Sequence, residues 1–251
     1  MPATPAWPPH SLPRLFVGQE LAEGQTLTLE GNPANYLASV LRLGPGAEVK
    51  LFDDRTGEWL ARVAEAGRKQ VSLAVAERLR PREDVPDLWL LFAPLKRSQT
   101  DWLVEKATEL GAARLVPVLT QRTVAERVRV DRLRTIAIEA AEQCDRTALP
   151  ELAEPIKLAA LLSGWAAERI LIFADEAGGA PLAQAAAPAP AAILIGPEGG
   201  FTDAERTLIR ACAAARPVSL GPRILRAETA AVAALSLWMG LAGDWSRPPR
   251  G

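Results

Sequence analysis

Two stretches hold the residues whose types and spacing could do chemistry. The first is Gly196-Pro-Glu-Gly-Gly200, which follows the apolar run Ile193-Leu-Ile195 and precedes Thr202-Asp-Ala-Glu205. Gly196, Gly199 and Gly200 let the main chain pass where side chains would collide, so a ligand can lie against backbone amides and carbonyls. The second, Leu220-Gly-Pro-Arg-Ile-Leu-Arg-Ala-Glu-Thr-Ala230, repeats the design: a strand ends at Val218-Ser219-Leu220, a Gly-Pro loop follows, and a long apolar helix begins. Either loop alone reads equally well as an ordinary strand-to-helix turn. Together they are expected to end two neighbouring strands.

The elements that must position these loops follow from periodicity. Ile193-Leu-Ile195 is the kind of run that fills a buried parallel strand, and Thr202-x-x-Glu205 has the form of a helix capping box. Upstream, Leu88–Ala93 is a continuous apolar strand; Trp102, Leu103, Lys106, Ala107 and Leu110 then recur at helical spacing until Gly111 supplies a C-cap. A strand at Leu115–Leu119, a helix from about Val130 to Cys144 and a strand at Arg169–Ala174 continue the alternation, which argues for a parallel sheet in an α/β domain. Ala183–Ala192, almost wholly Ala and Pro, reads as a surface connection too poor in large side chains to form core. The helix Ala230–Ala242 is apolar all round, which suggests burial within the protein or in a subunit interface.

Ahead of this domain the chain is β-rich. Arg14–Val17, Thr26–Leu29, Glu48–Phe52, Trp59–Val63 and Gln70–Val75 are strand-like runs between turn signals, with one helix expected over Asn35–Leu43, a pattern that fits a small barrel. Leu43-Gly-Pro-Gly-Ala-Glu-Val49 imitates the opening of a dinucleotide-binding loop, but it has no third glycine and a β-like run follows it, so it reads as a strand-connecting turn. Arg80-Pro-Arg-Glu-Asp-Val-Pro86 has the charged, Pro-rich character of a linker.

Composition narrows the function classes. With 29 Lys and Arg against 30 Asp and Glu, the formal charge of the 251-residue chain is -1, so it is no generally basic nucleic-acid binder, and any RNA contact must come from local arginine clusters. Cys144 and Cys212 are too few for a disulfide framework and read as reduced thiols, which fits a cytoplasmic location. The sole histidine, His10, lies in a Pro-rich arm, which argues against a His-based triad and against a zinc site. No stretch looks like a targeting signal, and Ala230–Ala242 is too short to cross a bilayer.

Gly-Pro-Glu-Gly-Gly-Phe followed by Leu-Gly-x-Arg-Ile-Leu-Arg-x-Glu-Thr-Ala closely resembles the RsmE family of SPOUT-type ribosomal RNA methyltransferases. Val40–Leu43, Leu95-Lys96, Glu105–Gly111, Ile138–Gln143, Arg146 and Pro150 also look like family positions, so the resemblance covers roughly residues 12 to 243. It implies an α/β fold: a SPOUT-type domain with a deep trefoil knot over 86–245, preceded by a small PUA-like β-barrel, an RNA-binding domain, over 1–80. The implied cofactor is S-adenosylmethionine and the implied substrate N3 of one uridine in 16S rRNA of the small ribosomal subunit, with no metal and no membrane involved. Carried over residue by residue, the cofactor would be held by Ile195, Gly196, Pro197, Gly199, Gly200, Leu220, Gly221, Ile224 and Leu225, with Phe173–Glu176 nearby. RNA-contacting positions would be Arg14, Arg42, Lys96, Arg97, Arg122 and Arg146. Family members pair as homodimers through the knotted domain. The chain departs from the family pattern at Tyr36, where histidine is common, and at Gln121, where glutamate is frequent.

That chemistry assigns roles. Uracil N3 becomes nucleophilic as its imide proton leaves, and negative charge then spreads onto O2 and O4. Arg226 is the first choice to stabilise that charge. Glu228 would position Arg226 or accept the proton, and Glu198 is a second carboxylate candidate; Glu228 reads equally as an acidic residue favoured at a helix N-terminus. Two other readings stand beside this one: a SPOUT enzyme acting on another RNA position, and a non-catalytic RNA-binding assembly factor. A nucleotide hydrolase is disfavoured, since the chain has no Gly-x-x-x-x-Gly-Lys-Ser/Thr loop.

Overall fold

Alternating apolar residues in the early strands produce a five-stranded sheet, seen in a computed structural model that describes residues 12–67, 69–124 and 127–248. The strands are β1 (Arg14–Phe16), β2 (Thr26–Glu30), β3 (Glu48–Phe52), β4 (Glu58–Ala66) and β5 (Gln70–Arg80), in the order β1-β3-β4-β5-β2. β1 runs parallel to β3 and the remaining pairs are antiparallel. Register shifts along β4 and β5 near Trp59, Ala61 and Glu65 bend and twist the sheet. It curls around a core that includes Leu37, Val49, Leu51, Ala61 and Leu73. The expected barrel is thus a curled sheet whose edges, β1 and β2, do not pair with each other.

The helix in this unit starts earlier than its apolar spacing predicts. α1 spans Gly31–Asn35 and continues as a π-helical turn over Tyr36–Val40. Pro33 is accommodated because the first-turn amides of a helix have no intrahelical acceptor to lose. Between β3 and β4 the Asp53 carboxylate accepts from the main-chain amides of Leu21, Arg55 and Thr56 at 2.7, 2.9 and 2.7 Å. The bonds from Arg55 and Thr56 close a tight turn; burial opposes the charge, but the Thr56 hydroxyl, which donates to Asp53 Oδ2 at 2.6 Å, and these main-chain amides outweigh it and hold the Asp53 carboxyl below its ordinary value. Gly46, at φ +85°, turns the chain directly into β3, so the glycine-rich decoy is a connecting turn.

Residues up to Asp84, together with Glu142–Ala148, make this first compact unit; Val85–Ala141 and the chain from Leu149 onward make the second. The second contains β6 (Leu88–Phe92), α2 (Arg97–Glu109), β7 (Arg114–Leu119), α3 (Val130–Gln143, whose last residues fall in the first unit), β8 (Glu151–Leu152), β9 (Ile156–Lys157), α4 (Leu158–Ser163) and β10 (Ile170–Ala174). β11 (Ala180–Pro181), α5 (Leu182–Ala185), β12 (Ala191–Ile195), α6 (Asp203–Ala211), β13 (Ala215–Ser219) and α7 (Ala227–Leu241) complete it. The sheet order is β11-β13-β10-β12-β6-β7-β8, with β9 also on β7, and every pairing is parallel. Among the described residues no helix is long and apolar enough to cross a membrane, and His10 lies outside them.

Two expectations are corrected here. The strands that end in the Gly-Pro loops, β12 and β13, are not neighbours, because β10 lies between them and pairs with both. The Ala/Pro stretch is not wholly a surface connection. Ala191 and Ala192 already belong to β12 and are fully buried, small side chains serving as core where Leu88, Ile172, Leu171 and Phe173 fill the adjacent volume. α7 buries one side within the chain. Ala227, Ala231, Ala234, Leu235, Trp238 and Met239 form one buried stripe at helical spacing, while Leu237 and Leu241 remain 44% and 56% exposed.

Candidate cofactor and active site

β10, β12 and β13 present their carboxyl ends together, the place where open parallel sheets bind ligands. A cavity of about 390 Å³ opens there, within the usual range for small-molecule sites. Ile195, Gly196, Pro197, Glu198 and Gly200 line it from the loop after β12, and Leu220, Gly221, Ile224, Leu225 and Arg226 from the loop after β13. The order of strands therefore brings the two motifs to one cavity from either side of β10.

Local geometry explains the glycines. Gly200 sits at φ +66°, a region costly for other residues, and a Cβ there would collide with Glu176 Oε1. At Gly196 a Cβ would lie 2.7 Å from the Phe201 ring, which is buried edge-on against Phe173 at 5.2 Å. The Gly200 amide donates to the Pro197 carbonyl at 2.9 Å, closing the turn. α6 then begins with the predicted capping box: the Glu205 amide donates to Thr202 Oγ1 at 3.3 Å, and the Thr202 amide donates to Glu205 Oε2 at 2.9 Å. Glu205 Oε1 also accepts from the Gln121 amide at 2.8 Å, tying the loop after β7 to the same helix start.

The third wall comes from the end of β10. Ala174, Asp175, Glu176 and Gly178 line the cavity with Phe201 and Arg206. The Asp175 side chain is fully buried and pairs with Arg210 at 2.5 Å and Arg206 at 3.8 Å; Arg206 also bonds Glu176. Motif reading placed Phe173–Glu176 near the cofactor but missed Arg206, Phe201 and Gly178. The available signal was the acidic pair Asp175-Glu176 directly after an apolar strand, which calls for a cation partner.

Arg226 is the N-cap residue of α7, is exposed, and makes no ion pair with a described residue. A cation at a helix N-terminus is opposed by the macrodipole, so the position is not explained by helix stability. Glu228, in the first turn of α7, does not line the cavity. Its Oε1 accepts from Gln99 Nε2 at 3.3 Å, and its Oε2 is buried with no hydrogen-bond partner. Glu198 is exposed on the first loop and lines the cavity. Gly199 does not line it: the aliphatic part of Arg122 lies over Gly199, and Arg122 Nη1 donates to the Gly199 carbonyl at 2.6 Å.

The six positions proposed for RNA contact have different fates. In the second unit Lys96 and Arg97 are exposed at the start of α2, and Arg122 is exposed but bonded to the Gly-Pro loop. In the first unit Arg42 stands at φ +55° in the turn that follows the π-helical segment. Arg14 and Arg146 are instead buried, with 9% and 3% of their surface exposed. Arg14 donates to Glu58 and to the Arg146 carbonyl and stacks on Phe52 at 3.8 Å, so its donors are committed to the fold rather than to a surface. Tyr36 opens the π-helical turn and is 41% exposed.

Comparison with known proteins agrees with this architecture. A family model described as an RNA methyltransferase domain matches residues 81–239, and an RNA methyltransferase PUA domain matches residues 29–75. The chain is 34% identical over 232 residues to the ribosomal RNA small subunit methyltransferase E of Synechocystis sp., covering 89% of this chain and 76% of that one. It is 29% identical to the protein of the same name from Rickettsia conorii, covering 89% and 93%. A crystal structure of a ribosomal RNA small subunit methyltransferase E from Neisseria gonorrhoeae, bound to S-adenosyl methionine, superposes with a TM-score of 0.85 at 28% identity over 93% of this chain and 99% of that one.

Proposed function

Because the chain belongs to the ribosomal RNA small subunit methyltransferase E family, we propose that it uses S-adenosylmethionine to methylate N3 of a uridine in the 16S RNA of the small ribosomal subunit. The observation that carries this reading is the meeting of both Gly-Pro loops and Arg226 at one cavity. The residues present suit the cofactor. Main chain at Gly221, where a Cβ would meet nothing within 4 Å, is open to close approach, Ile195, Leu220, Ile224 and Leu225 offer apolar surface for adenine, and the volume matches a ligand of this size.

When bound, S-adenosylmethionine supplies an electrophilic methyl group. The protein's own task is to hold uracil in line with it and to favour the N3 anion. As the imide proton leaves, charge grows on O2 and O4, and the Arg226 guanidinium, engaged by no carboxylate among the described residues, stabilises it. Glu198, exposed on the cavity wall, takes up the proton, while Glu228, outside that lining, keeps one buried carboxylate oxygen unused two residues from Arg226. N3 forms the new bond to carbon as the carbon–sulfur bond breaks, and the sulfur leaves as a neutral thioether.

The same proposal includes residues 1–80 as an RNA-binding domain, 86–245 as a catalytic domain with a trefoil-knotted path, pairing of two copies through α7, RNA contacts by Arg42, Lys96 and Arg97, and a cytoplasmic location. Its test is transfer of labelled methyl groups to small ribosomal subunits from a strain lacking the enzyme, followed by mass spectrometry of the nucleosides. 3-Methyluridine is the expected product. Methyl groups on another nucleoside would refute the N3 assignment, and no transfer at all would favour the assembly-factor reading. In single turnover, Arg226→Ala is expected to slow transfer about a hundredfold to a thousandfold, the usual cost of losing one preorganised donor, without weakening cofactor binding.

A further inference from the structure

The second unit has another cavity, of about 420 Å³, which the cofactor loops do not touch. Its charged lining is Lys96, Arg97, Arg127, Arg129 and Arg132 against one carboxylate, Asp101. Arg132 is bonded to Asp101, and Arg129 pairs with Asp131 at 2.6 Å. Lys96, Arg97 and Arg127 have no carboxylate within ion-pair distance among the described residues. Three uncompensated cations at one cavity stand out in a chain whose formal charge is -1.

The rest of the lining points to the kind of anion. α2 starts at this cavity with no acidic residue in its first turn and no side-chain cap, so the positive end of the helix adds to the field. Leu95 and Leu133, both almost fully buried, together with Val128 supply an apolar floor. A lone phosphate would leave most of such a volume empty, whereas a phosphodiester with its attached sugar uses both the cationic rim and the apolar floor. The helix that opens at this cavity, α2, also reaches the start of α7, beside the centre proposed for the reaction. Gln99, in the first turn of α2, donates to Glu228 in the first turn of α7, and Arg226 immediately precedes that helix.

We propose that this cavity binds the RNA backbone, seating a phosphodiester that flanks the nucleotide presented to Arg226, with Arg127 as a principal contact alongside Lys96 and Arg97. The inference rests on the methyltransferase reading for the identity of the RNA. It adds Arg127, which no motif singled out, and assigns backbone positioning rather than base reading to the group. Such contacts hold register and are sensitive to salt.

The test is fluorescence anisotropy of a labelled small-subunit rRNA fragment across a salt series, with Arg97→Glu, Arg127→Glu and the double variant. Each single variant is expected to bind RNA about tenfold more weakly and to lower the slope of log affinity against log salt by about 0.7, the value for one lost single-strand phosphate contact. Affinity for S-adenosylmethionine and the thermal midpoint should be unchanged, and Arg127→Lys should keep the slope. RNA affinity and slope that do not change in the double variant would overturn the proposal. So would loss of inorganic-phosphate binding in the double variant with RNA binding intact, since that would mark a small-anion site. If the wild type transfers no methyl group yet the Glu variants still lose RNA, the function reading fails and the cavity assignment stands. Normal methyl transfer by the wild type, with RNA binding indifferent to the Glu substitutions, would overturn the cavity assignment and leave the function reading standing.

Discussion

Glu58 shows how a charged residue can hold a fold together without joining the chemistry. Its side chain is 4% exposed and pairs with Arg14 and with Arg80, the latter at 3.0 Å. Burial opposes its charge, but hydrogen bonds from Arg80 and Arg14 outweigh that cost and hold the Glu58 carboxyl below its ordinary 4.5. Arg14 is lowered from its ordinary value, first by burial, with Glu58 pulling back. A depressed folded-state value means that the stabilisation is fully present above about pH 4.5, the unfolded value, and is lost as pH falls through the folded one. We therefore expect the thermal midpoint of the wild type to drop in acid below that value. Glu58→Gln, which leaves the buried Arg14 without its buried counter-charge and with only the exposed Asp145 carboxylate at 3.6 Å, should destabilise the protein by about 3 kcal/mol at neutral pH. The gap between the two proteins should close as pH falls, because the wild-type carboxyl becomes neutral too. Melting curves from pH 7 to pH 3 decide this, and a gap of constant size would show that Glu58 does not act through its charge.

At the scale of elements, three strand ends and two helix starts build the cofactor cavity. The loop after β12 is held on one side by the Pro197–Gly200 turn and on the other by Arg122 on the Gly199 carbonyl. Gly200 is the position where both backbone conformation and space exclude a side chain. Gly200→Ala should therefore make the ligand-ready loop the minor conformer and weaken S-adenosylmethionine binding about tenfold, with a left-handed residue costing ~1–2 kcal/mol. Glu176, whose carboxylate such a Cβ would strike, is half exposed and can move, so the fold should survive. Calorimetric titration of a folded Gly200→Ala protein reads this directly; unaltered affinity would reduce the loop to an ordinary turn.

For the whole molecule, the exposed side of α7 matters most. Leu237 and Leu241 on α7 and Trp102 on α2, which packs against α7, are all 40% or more exposed. Large apolar side chains grouped on neighbouring helices mark a protein contact. A second copy of the chain is the proposed partner, so light scattering should give about twice the 26.9 kDa chain mass. Leu237→Glu with Leu241→Glu should yield a folded monomer. A wild-type monomer at micromolar concentration would sink the idea.

Local signals carried far in this chain because they are governed by neighbours in sequence. The apolar run Leu88–Phe92, the capping box at Thr202 and Glu205, the turn at Gly46 and the two Gly-Pro loops all depend on a few adjacent residues, and each stands where periodicity and turn chemistry put it. The resemblance of those loops to a known family named the cofactor and the class of reaction. What spacing along the chain could not supply was adjacency between distant segments. Only the parallel pairing order placed β10 between the two loop strands and so brought Asp175, Glu176 and Arg206 to the cavity. Burial likewise depends on what lies opposite: Ala191 and Ala192 look like linker but fill core beneath large neighbours, and Arg14 looks like a surface cation but is enclosed with Glu58. Arg127 gains its meaning from Lys96 and Arg97, which are about thirty residues away in sequence and share one cavity wall in the fold.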